Sequence, residues 1–398
     1  MDTRVGRTGC SSSVDAVTTT GELRAALDEL AERAVRDGQV PGVVAAVADL
    51  AGDHVTVAGT TAVDGPPLVR DSLFRITSMT KPITAAVVLS LVDDGVLALD
   101  EPVDPLLPEL ADRRVLRRPD GPLGDTVPAD RPITTRDLLT FTWGFGMQGA
   151  MFAAAEPWPV VAAAAERELA TFGPPAPATT PEPDTWLARL GELPLLAQPG
   201  ERWLYQSGSQ VLGVLAARAA GMSFPRVLTE RLFGPLGMRD TAFHAADTSR
   251  LVTAYEAGRD GFAVIDPPDG QWSRPPGFPD GGAGLLSTVD DMLAFGRMLL
   301  RDGDPVLRPA TVATMTTDRL TEAQRAVWPG FSFLGDRGWG FGGAVRPDGG
   351  FGWEGGYGTT AFTFRDLGRT AVVLTQRAFD AQGPPAVCEA VLTAVAAA

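Results

Sequence analysis

The sequence predicts an α+β protein: an antiparallel β-sheet flanked by helices, built from both chain ends, with a mostly helical region inserted between them. Three observations lead there. Strand-like runs sit near residues 43–58 and again beyond residue 338. The stretch between them is dominated by helical periodicity and Pro- and Gly-rich loops. A chain of 398 residues also exceeds a comfortable single core, so two structural regions are expected. The division read from these patterns assigns 20–75 and 285–398 to the sheet region and 76–284 to the helical region. A site is expected where they meet, and 1–19 is read as a flexible N-terminus.

The elements follow in order. Residues 21–37 carry Leu23, Leu27, Leu30 and Ala34 at helical spacing. Residues 43–50 and 54–58 read as two strands around an Ala-Gly-Asp turn. Residues 82–97 form a long helix with Pro82 in its first turn, where a missing N–H costs nothing, and Asp93-Asp94-Gly95 as its stop. Its apolar residues run almost all round, so it is expected at the centre of the protein. Further helices are expected at 134–140, 156–172, 209–220, 223–233 and 290–301, with a Pro-rich loop at 174–183. Segments 338–345, 349–353, 359–365 and 370–376 read as antiparallel strands joined by turns, and a last helix spans 384–397.

Composition narrows the function. Net charge is 34 − 49 = −15 and the pI is about 4.6. That argues against nucleic acid, whose phosphates require a basic patch, and against an anionic membrane surface. No run of about 18 apolar residues is present. The first ten residues lack an apolar core segment of the signal-peptide kind, so a cytoplasmic location is expected. Cys10 and Cys388, the only cysteines, make neither a disulfide framework nor a metal site. His54 and His244, the only histidines, lie in no catalytic context and are read as structural, which disfavours a His-based triad.

Lys81 is the only lysine, so 33 of the 34 basic residues are arginine. Guanidinium stays charged in proteins, whereas a buried ammonium can shift its pKa and act as a base. Ser78 stands three residues earlier, in Ser78-Met79-Thr80-Lys81. Positions i and i+3 share a helix face, so the amine can reach the hydroxyl, and first-turn N–H groups favour negative charge developing there. The pair reads as a nucleophile with its base.

Four further segments join this one in a resemblance. Ser78-Met79-Thr80-Lys81 resembles the first motif of serine β-lactamases and penicillin-binding proteins. Tyr205-Gln206-Ser207 is similar to the second motif of the class C β-lactamase-like group. Residues 232–241, Leu-Phe-Gly-Pro-Leu-Gly-Met-Arg-Asp-Thr, resemble that group's PLGM-x-DT turn, and 281–288 its Gly-rich segment before a helix. Trp353-Glu354-Gly355-Gly356-Tyr357-Gly358-Thr359 resembles its third motif. The five matches span roughly 40–380 in the right order and are most similar to family VIII carboxylesterases.

The resemblance implies a serine β-lactamase/DD-peptidase-like fold and an acyl-enzyme mechanism needing no metal or cofactor. Ser78 is then the nucleophile, Lys81 takes or relays its proton, and Tyr205 shares that network and donates to the leaving alcohol. The backbone N–H groups of Ser78 and Gly356 form the oxyanion hole by the family pattern. Ser207, Trp353 and Gly355 are expected to bind substrate, with Ser207 alternatively a helix N-cap and Trp353 alternatively packing. Trp143, Trp158, Trp186 and Trp203 either shape an apolar acyl pocket or belong to the core. Two departures matter. The third motif usually opens with Lys or His, which helps hold a substrate carboxylate, and here Trp353 stands there. The second motif ends in Ser207 rather than Asn. Both point toward small-molecule esters lacking that carboxylate, so hydrolysis of carboxylic esters is expected. Acyl transfer, weak β-lactamase or D-amino-acid peptidase activity, and a non-catalytic binding protein are the alternatives. Oligomeric state is left open.

Overall fold

The computed structural model describes residues 12–259, 261–326, 331–381 and 383–398. A seven-stranded sheet organises them. Its strands are β1 (Gly42–Ala48), β2 (Asp53–Gly59), β3 (Gly338–Trp339), β4 (Ala344–Val345), β5 (Gly350–Gly355), β6 (Thr359–Phe364) and β7 (Arg369–Thr375). They lie in the order β2-β1-β7-β6-β5-β4-β3, and every neighbouring pair is antiparallel. The two ends of the chain are thus joined at β1 and β7, where Val44 faces Leu374 and Ala45 faces Val373.

The long helices are α1 (Ser12–Arg36), α2 (Thr80–Asp93), α3 (Ser207–Ala220), α4 (Val289–Leu300) and α5 (Ala386–Ala397). α1 and α5 pack together on one sheet face, and α4 covers β7, β6 and β1 from the other. This explains why β1, Gly-Val-Val-Ala-Ala-Val-Ala, is apolar and buried throughout. Val43, Ala45 and Val47 enter the core under α1 and α5, while Val44, Ala46 and Ala48 enter the opposite core with α2 and α4. A strand covered on both faces has no solvent side on which to alternate. α2 is buried from Thr80 to Leu91, as its all-round apolar sequence predicts.

Several boundaries differ from the expected ones. α1 begins at Ser12, so 12–19 of the stretch expected to be flexible is helical, and the rest of it lies outside the described residues. Cys10 lies outside them too. The helix expected at 156–172 covers only Pro159–Glu166, because Glu168 and Ala170 adopt left-handed backbone angles that end it. The strand expected over 338–345 is two short strands parted by Gly340, Gly342 and Gly343. The 134–140 helix spans Thr135–Leu139, with Thr134 and Asp137 forming a reciprocal N-terminal cap. A helix at Pro183–Gly191 and a hairpin of Ala254–Gly258 with Gly261–Asp266 were not anticipated.

Candidate active site

The segment before α2 is held from two sides. Phe74–Arg75 pairs with Leu286–Ser287 as a short antiparallel ladder. The ladder continues as Ile76 N–H donates to Leu285 O (3.1 Å) and Leu285 N–H donates to Thr80 Oγ1 (3.2 Å). Arg75 fixes the base of this ladder by donating to Asp266 (2.7 Å). Thr77 then adopts a positive φ of 39°, an outlier for a β-branched residue. Such strain concentrates where the surrounding structure over-determines a functional turn. Ser78 follows in a 3₁₀ turn (Thr77–Met79) that runs straight into α2. Its hydroxyl is half-buried, and Lys81 one turn on is fully buried.

Lys81 Nζ has three oxygen neighbours: Ser78 Oγ at 2.8 Å, Gln206 Oε1 at 2.6 Å and the Gly282 carbonyl at 2.8 Å. A neutral amine has two N–H donors and one lone pair. Gln206 Oε1 and the Gly282 carbonyl can only accept, so in the neutral form they take the two N–H groups and leave the lone pair for Ser78, while the ammonium donates to all three oxygens. Burial pushes the Lys81 ammonium down to about 7, and the field of Asp280 opposes that shift only in part. Asp280 is itself buried, and desolvation holds its carboxyl above the usual range. Its Oδ1 accepts from Gly282 N–H (2.6 Å), which orients the carbonyl that Lys81 uses. Its Oδ2 accepts from Gln210 (3.1 Å) on α3.

Tyr205 closes the other side of Ser78, and the two side chains border the same cleft. Its Oη accepts from the Trp353 indole N–H at 2.7 Å. With the indole as donor there, the phenolic proton is left to serve an acceptor on the cleft side. The ring stacks on Phe333 (5.2 Å) and Trp203 (5.7 Å), and Lys81 Nζ lies 4.6 Å from its centroid. Burial in this aromatic surround pushes the phenol up to about 12, against the lowering effect of its contacts with Ser78 and Trp353. Lysine and tyrosine are therefore moved in opposite senses, toward neutral amine and neutral phenol. That is the division expected of a base and an acid serving one hydroxyl.

A cleft of about 750 Å³ opens over Ser78, and Tyr205, Gln206, Trp353 and Gly356 border it. Arg337 is the only cation among its described lining residues; it pairs with Glu354 (3.0 Å) and stands 4.6 Å over the Trp353 ring. The structure thus brings Ser78, Lys81, Tyr205, Trp353 and Gly356 together, and departs from expectation at two places. Ser207 does not face the cleft: it is fully buried and donates to the Phe145 carbonyl (2.8 Å). It is the first residue of α3, not its cap. Gly355 does not line the cleft either. A Cβ there would lie 2.2 Å from the Ile76 carbonyl and 2.6 Å from Thr77 Oγ1, so glycine lets β5 press against the Ser78 turn. Trp143 and Trp186 are core residues, and Trp158 and Trp203 also lie outside the cleft lining. His54 on β2 is tied to Asp28 on α1 (2.8 Å), and neither histidine borders the cleft.

Sequence reasoning missed Gln206 and Asp280. Gln206 has φ 90° and ψ −69°, a γ-turn geometry rarely held by a residue with a side chain. That turn aims the amide at Lys81 while α3 departs in another direction. Gln206 stands inside the second motif, but its residue type carries no signal of that turn.

A strained serine turn at the rim of an antiparallel sheet, served by a buried amine and a phenol, defines a β-lactamase-like serine hydrolase class. The chain belongs to the beta-lactamase family, whose sequence model matches residues 27–392. It is 31% identical over 395 residues to esterase EstB of Burkholderia gladioli, covering 91% of this chain and 93% of that one. It is 30% identical over 308 residues to a lovastatin esterase of Penicillium rubens, covering 74% and 73%. Among solved structures it superimposes on EstCE1, described as a hydrolase with promiscuous acyltransferase activity. That match has a TM-score of 0.80 at 24% identity and covers 96% of this chain and all of the other.

Proposed function

We propose that this protein hydrolyses neutral carboxylic esters through an acyl-enzyme on Ser78. The observation that carries the reading is the buried Lys81 Nζ, 2.8 Å from Ser78 Oγ and held there by the Gln206 Oε1 and Gly282 carbonyl acceptors. Lys81 takes the Ser78 proton as Oγ bonds to the ester carbonyl carbon, and the N–H groups of Ser78 and Gly356 receive the developing oxyanion. The C–O bond to the alcohol then breaks. Tyr205 protonates the departing oxygen, and the proton held by Lys81 returns to the phenolate. Water repeats the sequence in reverse on the acyl-serine, releasing the acid and restoring Ser78. Trp353 holds the phenol in place through Oη. The pairing of Arg337 with Glu354 leaves no unpaired cation in the described cleft lining for a substrate carboxylate, which favours neutral esters over β-lactams.

Acyl transfer to an alcohol uses the same intermediate, and the description of EstCE1 favours it as a second reading. The test is p-nitrophenyl butyrate turnover by wild type and Ser78→Ala, with intact mass recorded early in the reaction. A butyryl adduct and turnover, both absent in the variant, are expected. Turnover by Ser78→Ala at the wild-type rate would refute the assignment, and alcohol added to the assay separates transfer from hydrolysis.

A further inference from the structure

Only two aromatic side chains among the described residues are strongly exposed, Phe152 (55%) and Phe331 (51%). They touch each other, with ring centroids 5.9 Å apart. Both also touch Phe333, Phe331 at 4.8 Å and Phe152 at 5.7 Å. Phe333 borders the cleft and stacks on Tyr205. The other large exposed apolar residues are aliphatic and lie elsewhere in the chain. Scattered exposed apolar residues need no explanation, but a contiguous aromatic trio that starts at the proposed acid and ends in solvent does.

The trio is built from two separate segments that meet at the backbone. Phe152 lies on the short helix Ala150–Ala153, and Gly149 caps that helix. A Cβ on Gly149 would lie 1.9 Å from the Phe331 carbonyl oxygen, so only glycine permits this approach. Met147, just before it, borders the cleft and exchanges backbone hydrogen bonds with Tyr205 (2.7 and 2.8 Å). The platform and the phenol are thus braced by one stretch of chain.

We propose that Phe333, Phe331 and Phe152 form the alcohol subsite of this enzyme, and that it accepts esters of apolar alcohols, long-chain or aryl-alkyl. The inference rests on the ester-hydrolase reading above. Tyr205 delivers its proton to the departing oxygen, so the group bonded to that oxygen lies on the tyrosine's side of the scissile bond. Phe333 covers the Tyr205 ring there, and the other two rings extend the surface outward. An alkyl or aryl tail leaving along this path stays in contact with aromatic faces.

The experiment uses two ester series with Phe152→Ser, Phe331→Ser and the double variant, none of which alters the catalytic groups. The first series is ethyl, butyl, octyl and 2-phenylethyl butyrate, which share one acyl-enzyme and alcohols of similar acidity. The second is ethyl esters of acids from acetic to octanoic. In wild type, kcat/KM should rise about tenfold from ethyl to octyl or phenylethyl butyrate, the scale of one or two aromatic contacts. The double variant should lose that rise while keeping ethyl butyrate turnover within about twofold, and the acid series should not change. An unchanged alcohol preference overturns the proposal, as does a loss confined to the acid series. A change in sedimentation mass with no change in alcohol preference also overturns it and identifies the patch as a contact between copies. Failure of wild type to turn over any ester refutes the hydrolase reading together with this one, whereas turnover with altered expectations in the variants refutes the subsite alone.

Discussion

Replacing Gln206 by glutamate puts a carboxylate where an amide oxygen now accepts from Lys81 at 2.6 Å. The change is nearly isosteric, so the γ-turn and α3 keep their packing while the electrostatics of the amine change. Two unit charges about 4 Å apart in an effective dielectric of about 20 attract by about 4 kcal/mol. That is worth up to about 3 pKa units on the ammonium. Burial holds Lys81 at about 7 in the native protein, so about half of it is neutral near pH 7. In Gln206→Glu the neutral fraction near pH 7 falls to about one in a thousand. The log kcat/KM profile for an ester should therefore show its acid limb near pH 7 in wild type and near pH 10 in the variant. Activity near neutrality should fall by up to about 500-fold and return as the pH approaches 10. Gln206→Met removes the acceptor without adding charge, and its limb should stay at or below the wild-type position. A folded Gln206→Glu protein with an unmoved limb would refute deprotonation of Lys81 as the step that arms Ser78.

Other perturbations test neighbouring parts of the site. Asp280→Asn removes the charge that opposes the lowering of Lys81, so the acid limb should move to lower pH, the opposite sense to Gln206→Glu. Trp353→Phe removes the donor to Tyr205 Oη and keeps a ring; kcat should fall about 10- to 100-fold with KM little changed, measured in steady state. Gly355→Ala drives a methyl group into Ile76 O and Thr77 Oγ1 and should cost about 1–3 kcal/mol in urea unfolding along with most of the activity. Gly356→Ala meets nothing within 4 Å and should keep the native stability. Lys81→Met should abolish turnover and lower Tm, because the buried Gln206 Oε1, Gly282 carbonyl and Asp280 carboxyl lose the amine that faces them.

What the sequence disclosed about this site depended on how local each relationship was. Ser78 and Lys81 lie one helical turn apart, so spacing alone placed them together, and a single lysine among 33 arginines marked its role. Tyr205 and Trp353 were visible only as members of ordered motifs, since 148 residues separate them. Ser207 was misassigned because the residue facing Lys81 is chosen by the positive φ of Gln206, and nothing in Tyr-Gln-Ser announces that geometry. Asp280 acts through the backbone of Gly282, a contact to Lys81 that spans 201 residues and leaves no local pattern. The sheet was legible from the β-former runs at both ends. The helix at 156–172 was overextended because the left-handed residues ending it, Glu168 and Ala170, are ordinary helix formers by composition.

The long reach of these contacts has a consequence for the chain as it is made. Lys81 is dried out and oriented by Gln206, 125 residues later, and by Gly282, later still. Trp353 on β5 and Gly356 in the turn just after it belong to a part of the sheet that joins β1 only through β7, near the far end of the chain. Until those segments arrive, the amine is hydrated and keeps the ordinary lysine pKa of about 10.4, and the hydroxyl beside it is as inert as any surface serine. On the proposed mechanism the serine is therefore latent during synthesis, and it is armed only once Gln206, Gly282, Trp353 and Gly356 have joined it, so an unfinished or unfolded chain carries no reactive hydroxyl.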